Sequence, residues 1–149
     1  MSSVAFTVRM VPPKTTAQQK GTMAIIDKPG QYRGLRHFKK KKTVQAENDL
    51  INMFSPYAPP QPLEGPLYLL IRYIYPWRST EKKKNMALGE MPMDKRPDAD
   101  NLAKMTGDVL TKLLFYHDDS QIADLRIQKF WGNDPGITVV IRKIESKEI

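Results

Sequence analysis

The chain has 149 residues, 40% of them hydrophobic, which is one domain's worth (1–149) with a core of its own, and no apolar run approaches the length of a membrane span. Cysteine is absent, which excludes disulfides and thiolate metal sites and fits a cytoplasmic protein. A net charge of +8 points to a polyanionic partner, and without a basic amphipathic helix bearing exposed aromatics that partner is nucleic acid rather than a membrane.

Val4, Phe6, Val8 and Met10 alternate with Ala5, Thr7 and Arg9, which predicts a half-buried strand. Val11-Pro12-Pro13-Lys14 ends it. Thr15 to Tyr32 is polar, carries Gly21, Pro29 and Gly30, and reads as a long loop with a short candidate strand at Thr22 to Ile26. Arg33, Arg36, His37, Lys39, Lys40, Lys41 and Lys42 form the main basic block. Such a block is either a solvated run leading into a helix or a phosphate-contacting surface. It has no base-reading pattern, so any contact it makes is to the nucleic-acid backbone.

Thr43 to Phe54 predicts a helix with Val44, Leu50, Ile51 and Phe54 on its inner side and Glu47 and Asp49 toward water. Pro56, Pro59, Pro60, Pro62 and Pro66 mark a connector. Leu67 to Tyr75, with Arg72 its sole charge, predicts a central strand whose aromatics belong to the core more readily than to stacked bases. Arg78 to Pro92 holds Lys82, Lys83, Lys84 and Gly89 and reads as a mobile basic loop.

The segment Lys95 to Gln121 organises the rest. Asp98 and Asp100 open it, and Asp118 and Asp119 close it. Between them Leu102, Met105, Val109, Leu110, Leu113 and Leu114 fall at helical spacing, which predicts a helix over Asn101 to Leu114. Pro97 favours an extended entry, so Asp98 and Asp100 project to one side. Two carboxylates there repel, and a hard divalent ion such as magnesium offsets the repulsion. Helix capping by Asp100 is the bland alternative. It explains one aspartate and leaves Asp98 and the second acidic pair without a reason. Carboxylates in a basic chain also repel phosphate unless a cation stands between them.

Arg96-Pro97-Asp98-Ala99-Asp100-Asn101-Leu102, then Lys104, a helix, and Asp118-Asp119-Ser120-Gln121 before an apolar strand resemble the RusA family of Holliday junction resolvases. The turn Met10-Val11-Pro12-Pro13-Lys14 after a first strand is compatible with it. The resemblance implies a small, phage-associated, magnesium-dependent endonuclease that resolves four-way DNA junctions in recombination and repair. Position by position, it puts the metal-site aspartates at Asp98, Asp100 and Asp119 and the active-site lysine at Lys104. Lys104 would neutralise charge building on the phosphate; its plainer role is a surface ion pair with Asp108. Asp94 is assigned to solvent, and Asp118 to solvent or to a place behind the ligands. DNA contacts are assigned to Lys14, Arg33, Arg36, Lys39, Lys40, Lys41, Lys42, Lys82, Lys83 and Lys84. A non-catalytic DNA-binding module, or a metal-dependent nuclease for another branched DNA or RNA, remain the alternatives.

A helix over Asn101 to Leu114 is about 20 Å long, and the five residues to Asp119 span at most about 16 Å. Asp119 therefore completes the site of its own chain only if the chain turns straight back; supply from a partner subunit is the alternative. Ile122 to Trp131 and Ile137 to Ile144, around the turn Gly132-Asn133-Asp134-Pro135-Gly136, predict two strands forming a hairpin. The fold class is α+β, a single small domain with a mixed or antiparallel sheet and two main helices. A four-way junction needs two symmetry-related nicks and each chain carries one acidic constellation, so a homodimer is expected, with Trp131 and Leu67 to Tyr75 offering apolar surface.

Overall fold

The computed structural model describes residues 2–15, 20–26, 32–39 and 41–145, with side chains described over 2–15 and 41–145. In chain order the elements are β1 (Ser3–Arg9), β2 (Lys20–Ile26), β3 (Tyr32–Lys39), α1 (Lys41–Phe54), β4 (Leu67–Pro76), α2 (Lys83–Met86), β5 (Glu90–Pro92), α3 (Ala99–Lys112), β6 (Ile122–Gly132) and β7 (Gly136–Lys143). Single 3-10 turns lie at Ser55–Tyr57 and Asp119–Gln121.

β4 is the spine. Leu67, Leu69, Ile71, Tyr73 and Tyr75 all point to one face and are buried, each contributing about 1.5–3 kcal/mol of apolar burial. Five strands form one mixed sheet in the order β1-β7-β4-β6-β5, and β2 pairs with β3 alone. β4 runs antiparallel to β7 and parallel to β6, with α3 in the crossover. Phe6 and Val8 of β1, Ile137, Val139 and Ile141 of β7, and the inner faces of α1 and α3 close the core against the same side. The α+β class and the mixed sheet with two main helices are thus what the chain forms.

Two pairings differ from the sequence reading. β6 and β7 do not form a hairpin, because β4, the most continuously apolar strand, takes the place between them. The turn joining them crosses the end of β4, where Pro76 pairs with Gly132 and Ile74 with Gly136. The crossing is tight: a Cβ on Gly136 would lie 2.6 Å from the Val8 carbonyl oxygen, and one on Gly132 2.7 Å from Ile74 Cγ2. The candidate strand at Thr22 to Ile26 is part of β2, and the surrounding stretch read as loop and basic run also supplies β3, which pairs with it and carries the Arg33, Arg36, His37 and Lys39 backbones.

α1 is turned relative to expectation, whereas α3 buries the expected face. On α1 the buried residues are Thr43, Glu47, Leu50 and Phe54, while Val44 is exposed. Glu47 faces inward because Lys112 of α3 reaches its carboxylate at 3.6 Å, so the buried charge is paired. α3 spans Ala99–Lys112 and buries Leu102, Met105, Thr106, Val109 and Leu110. Leu114 falls outside the helix, 55% exposed at φ 59°. The segment read as a mobile loop contains α2, where Glu81 accepts from the Lys82 backbone and from Asn85, and β5, which pairs with β6. No helix among the described residues is long and apolar enough to cross a membrane.

Candidate active site

The end of α3 decides where Asp119 goes. Leu114 donates its N–H to the Thr111 carbonyl at 3.0 Å, and Phe115 donates to Leu110 at 3.1 Å. With Leu114 left-handed this is a Schellman motif, and Phe115 and Leu110, at the positions of its usual hydrophobic contact, are both buried in the core. The chain reverses at once. Asp118 then caps the next turn: its carboxylate accepts from the Ser120 N–H at 2.9 Å, and Gln121 Oε1 accepts from the Asp118 N–H at 3.1 Å. Hydrogen bonding from Ser120, its side chain first and then its backbone N–H, holds the Asp118 carboxyl below its ordinary range. Asp118 is therefore a structural cap. The Gln121 amide also donates to the carbonyls of Leu63 and Gly65, pinning the turn to the body of the domain.

Asp119 returns alongside α3 in its own chain. Asp100, Ala103, Lys104 and Gly107, at spacings of three and four, line one wall of a cleft of about 370 Å³. Asp119, Tyr116, Ile122, Leu125 and Leu69 line the rest. Three of the residues assigned from sequence, Asp100, Lys104 and Asp119, thus meet in one concavity. Asp98 is not among its lining residues. It is the N-cap position of α3 in extended conformation, its carbonyl accepting from Leu102 N–H at 3.0 Å, and its carboxylate makes no capping bond. Asp100, the expected cap, lies in the first helical turn instead.

Sequence reasoning missed the hydroxyls around Asp119. Thr111 Oγ1 lies 2.6 Å from Asp119 Oδ1 and 2.9 Å from the Gly107 carbonyl, while Tyr116 OH lies 3.4 Å and 3.2 Å from the same two oxygens. Each hydroxyl has one proton. The 2.6 Å separation is that of a charge-assisted bond, so Thr111 donates to Asp119 and Tyr116 to Gly107. Burial, reinforced by the Asp119 charge, pushes the Tyr116 phenol above its ordinary value and keeps it a donor. The available signal was spacing: Gly107 and Thr111 continue the stripe begun by Asp100 and Lys104. A second device sits at the helix entry, where Lys129 Nζ donates to the carbonyls of Lys95 at 2.7 Å and Pro97 at 2.8 Å. It fixes the segment that delivers Asp98 and Asp100.

Among the described residues no three acidic or imidazole side chains converge closely enough, as they stand, to hold an ion. The donor chemistry nonetheless fits a hard divalent cation, which takes one or two carboxylates and completes its shell with water and phosphate oxygen. Asp100 and Asp119, which both line the cleft, would offer that pair, and both hydroxyls near Asp119 approach Oδ1. Of the residues assigned to DNA, Lys14, Lys41, Lys42, Lys82, Lys83 and Lys84 are exposed, with Lys41 and Lys42 in the first turn of α1. Lys40 and the side chains of Arg33, Arg36 and Lys39 lie outside the described residues.

An α+β domain that sets carboxylates and a lysine in a cleft, on a chain of net charge +8, has the build of a small phosphodiester-cleaving nuclease. The pattern of the endodeoxyribonuclease RusA family matches residues 10–142, nearly the whole chain. The chain belongs to that family, the endodeoxyribonucleases that resolve Holliday junctions. It is also 31% identical over 97 residues to an uncharacterised protein, YqaN, of Bacillus subtilis (strain 168), covering 62% of this chain and 68% of the relative.

Proposed function

We propose that this chain is a magnesium-dependent resolvase that cuts four-way DNA junctions by paired nicks, as a homodimer, in recombination and repair in the bacterial or phage-infected cytoplasm. Asp98, Asp100 and Asp119 are the metal ligands and Lys104 is the catalytic lysine. One observation carries the reading: Asp100 and Lys104 from α3 and Asp119 from beyond its C-terminus line the same cleft. A divalent ion bound there would screen the phosphate and lower the pKa of an attacking water. The chain supplies the rest. Thr111 orients the Asp119 carboxylate, and Lys104, one turn after Asp100, brings its ammonium to the cleft where negative charge develops on the phosphate. Exposed lysines on α1 and before and within α2 hold the DNA backbone.

The test is incubation with a labelled four-way junction, a flap, a branched RNA and a linear duplex of matched sequence, with magnesium and with chelator. Symmetric nicking of the junction in magnesium alone is the expected outcome. Equal cutting of the flap or the RNA would reassign the substrate, and cutting in chelator would remove the metal.

A further inference from the structure

We infer that two copies of the chain join edge to edge along β6, around a two-fold axis at Leu125. The inference rests on the homodimer of the proposed function and locates its interface.

β6 is paired with β4 over its whole length but with β5 only at Phe130, Trp131 and Gly132. Among the described residues no strand pairs with Ala123 to Gln128 on the other side. Those residues include Ala123, Asp124, Leu125 and Arg126, all exposed, with Leu125 at 53%. The stretch expected to offer apolar surface, Leu67 to Tyr75, instead spends its alternate side chains in its own core. An uncovered strand edge carrying an exposed leucine is a template for another strand.

The backbone phase selects the axis. Lys129 accepts from the Met93 N–H at 3.0 Å, and Asn133, just past the strand, donates to Gly89 at 3.0 Å. Odd-numbered residues of β6 therefore turn their N–H and C=O away from β4. The register with β4 is unbroken from Asp124 to Gly132, so the same holds for Ile127 and Leu125. An antiparallel pair centred on Leu125 lets the two Leu125 residues exchange both backbone hydrogen bonds.

The side chains agree with that centre. About Leu125, Asp124 of one copy stands opposite Arg126 of the other, and Arg126 opposite Asp124. These are non-hydrogen-bonded positions, where Cα atoms approach to about 4.5 Å and opposite charges attract. Moving the axis by one residue destroys this: centred on Asp124 or Arg126, like charges face each other. Leu125 meets Leu125 on the side that carries the cleft, since Leu125 pairs with Leu69 and both line it.

Paired residues in a ladder project to the same face, so the axis is normal to the sheet. The two five-stranded sheets become one of ten, and both clefts open on the same side. The two Ile122 residues then stand about 20 Å apart along the strands, at about 3.3 Å per residue. A substrate with two-fold symmetry meets both clefts at once.

The test uses the full chain in sedimentation velocity at micromolar concentration, with Arg126→Glu and Asp124→Arg. Each single variant places like charges face to face twice per dimer, so each self-associates about tenfold more weakly than wild type. Mixed, the two variants complement at both pairs and form a heterodimer. Because the chain has no cysteine, Leu125→Cys offers a second measurement: mild oxidation yields a covalent species of twice the 17.1 kDa chain mass. A wild-type dimer that the charge variants leave unchanged and that Leu125→Cys does not cross-link overturns the interface and leaves the dimer standing. A wild-type monomer, free and junction-bound, overturns the homodimer and the interface with it.

Discussion

Thr111 Oγ1 lies 2.6 Å from Asp119 Oδ1, joining the last turn of α3 to the carboxylate that follows the chain reversal. The bond ties the orientation of Asp119 to the helix that also carries Asp100 and Lys104. Thr111→Val keeps the shape and removes the donor. If Asp119 is a metal ligand, that change weakens magnesium or manganese binding by about 10–100-fold, the usual cost of losing a partner that orients a ligand. Thr111→Ser retains the affinity. Calorimetric metal titration reads this without relying on cleavage. Equal affinity for the valine and serine variants would make the bond a matter of stability alone.

Asp98→Asn, Asp100→Asn and Asp119→Asn are each expected to abolish junction cleavage while leaving junction binding intact or tighter. Losing a carboxylate relieves repulsion of the phosphate and loses the ion together. Gel-shift and nicking assays on the same preparations measure both. Near-wild-type cleavage by any variant removes that residue from the metal set, and Asp98, which does not line the cleft, is the most informative of the three.

Lys83 and Lys84 lie on α2 and Lys41 and Lys42 on the first turn of α1, all exposed. If they neutralise phosphates, changing either pair to Ala lowers the slope of log affinity against log salt by about 0.9 for each phosphate released. The slope is read from junction binding at a series of salt concentrations. An unchanged slope assigns that pair to solvent.

Leu114 is 55% exposed at φ 59°, where a side chain costs about 1 kcal/mol or more and glycine does not. Little burial is lost on removing it. Leu114→Gly should therefore stabilise the domain by about 0.5–1 kcal/mol, after allowing for the greater freedom of glycine in the unfolded chain. Denaturant unfolding measures the change, and a lower midpoint would contradict it.

Burial pushes the Tyr73 and Tyr75 phenols far above their ordinary range. Tyr73 donates to the Leu102 carbonyl and meets the Thr106 hydroxyl, while Tyr75 donates to the Pro13 carbonyl at 2.5 Å. The folded state holds these protons more tightly than the unfolded one. Their contribution is complete below pH about 10 and is lost as pH rises above it, by about 1.4 kcal/mol per pH unit for each tyrosine. Urea unfolding between pH 9 and 11 tests this; Tyr73→Phe should flatten the alkaline fall.

Several elements are encoded by local periodicity alone. The alternation of β1, the continuous apolar run of β4 and the helical spacing of Leu102, Met105, Val109 and Leu110 are short-range patterns that survive in any context. The paired aspartates Asp98 and Asp100 stand out locally for the same reason, whereas the role given to Lys104 came from the family resemblance and not from its spacing. Tertiary structure decided what depends on distant partners. β4 parted β6 from β7 because it is the most apolar strand, a competition no local window records. Glu47 turned inward because Lys112, on another helix, neutralises it. Asp119 reached the cleft because a left-handed Leu114 reversed the chain, and Thr111 and Tyr116 became its neighbours only through that reversal. Side-chain spacing specifies which residues share a face; which face meets which is set by contacts between residues far apart in the chain, such as Leu69 beside Leu125.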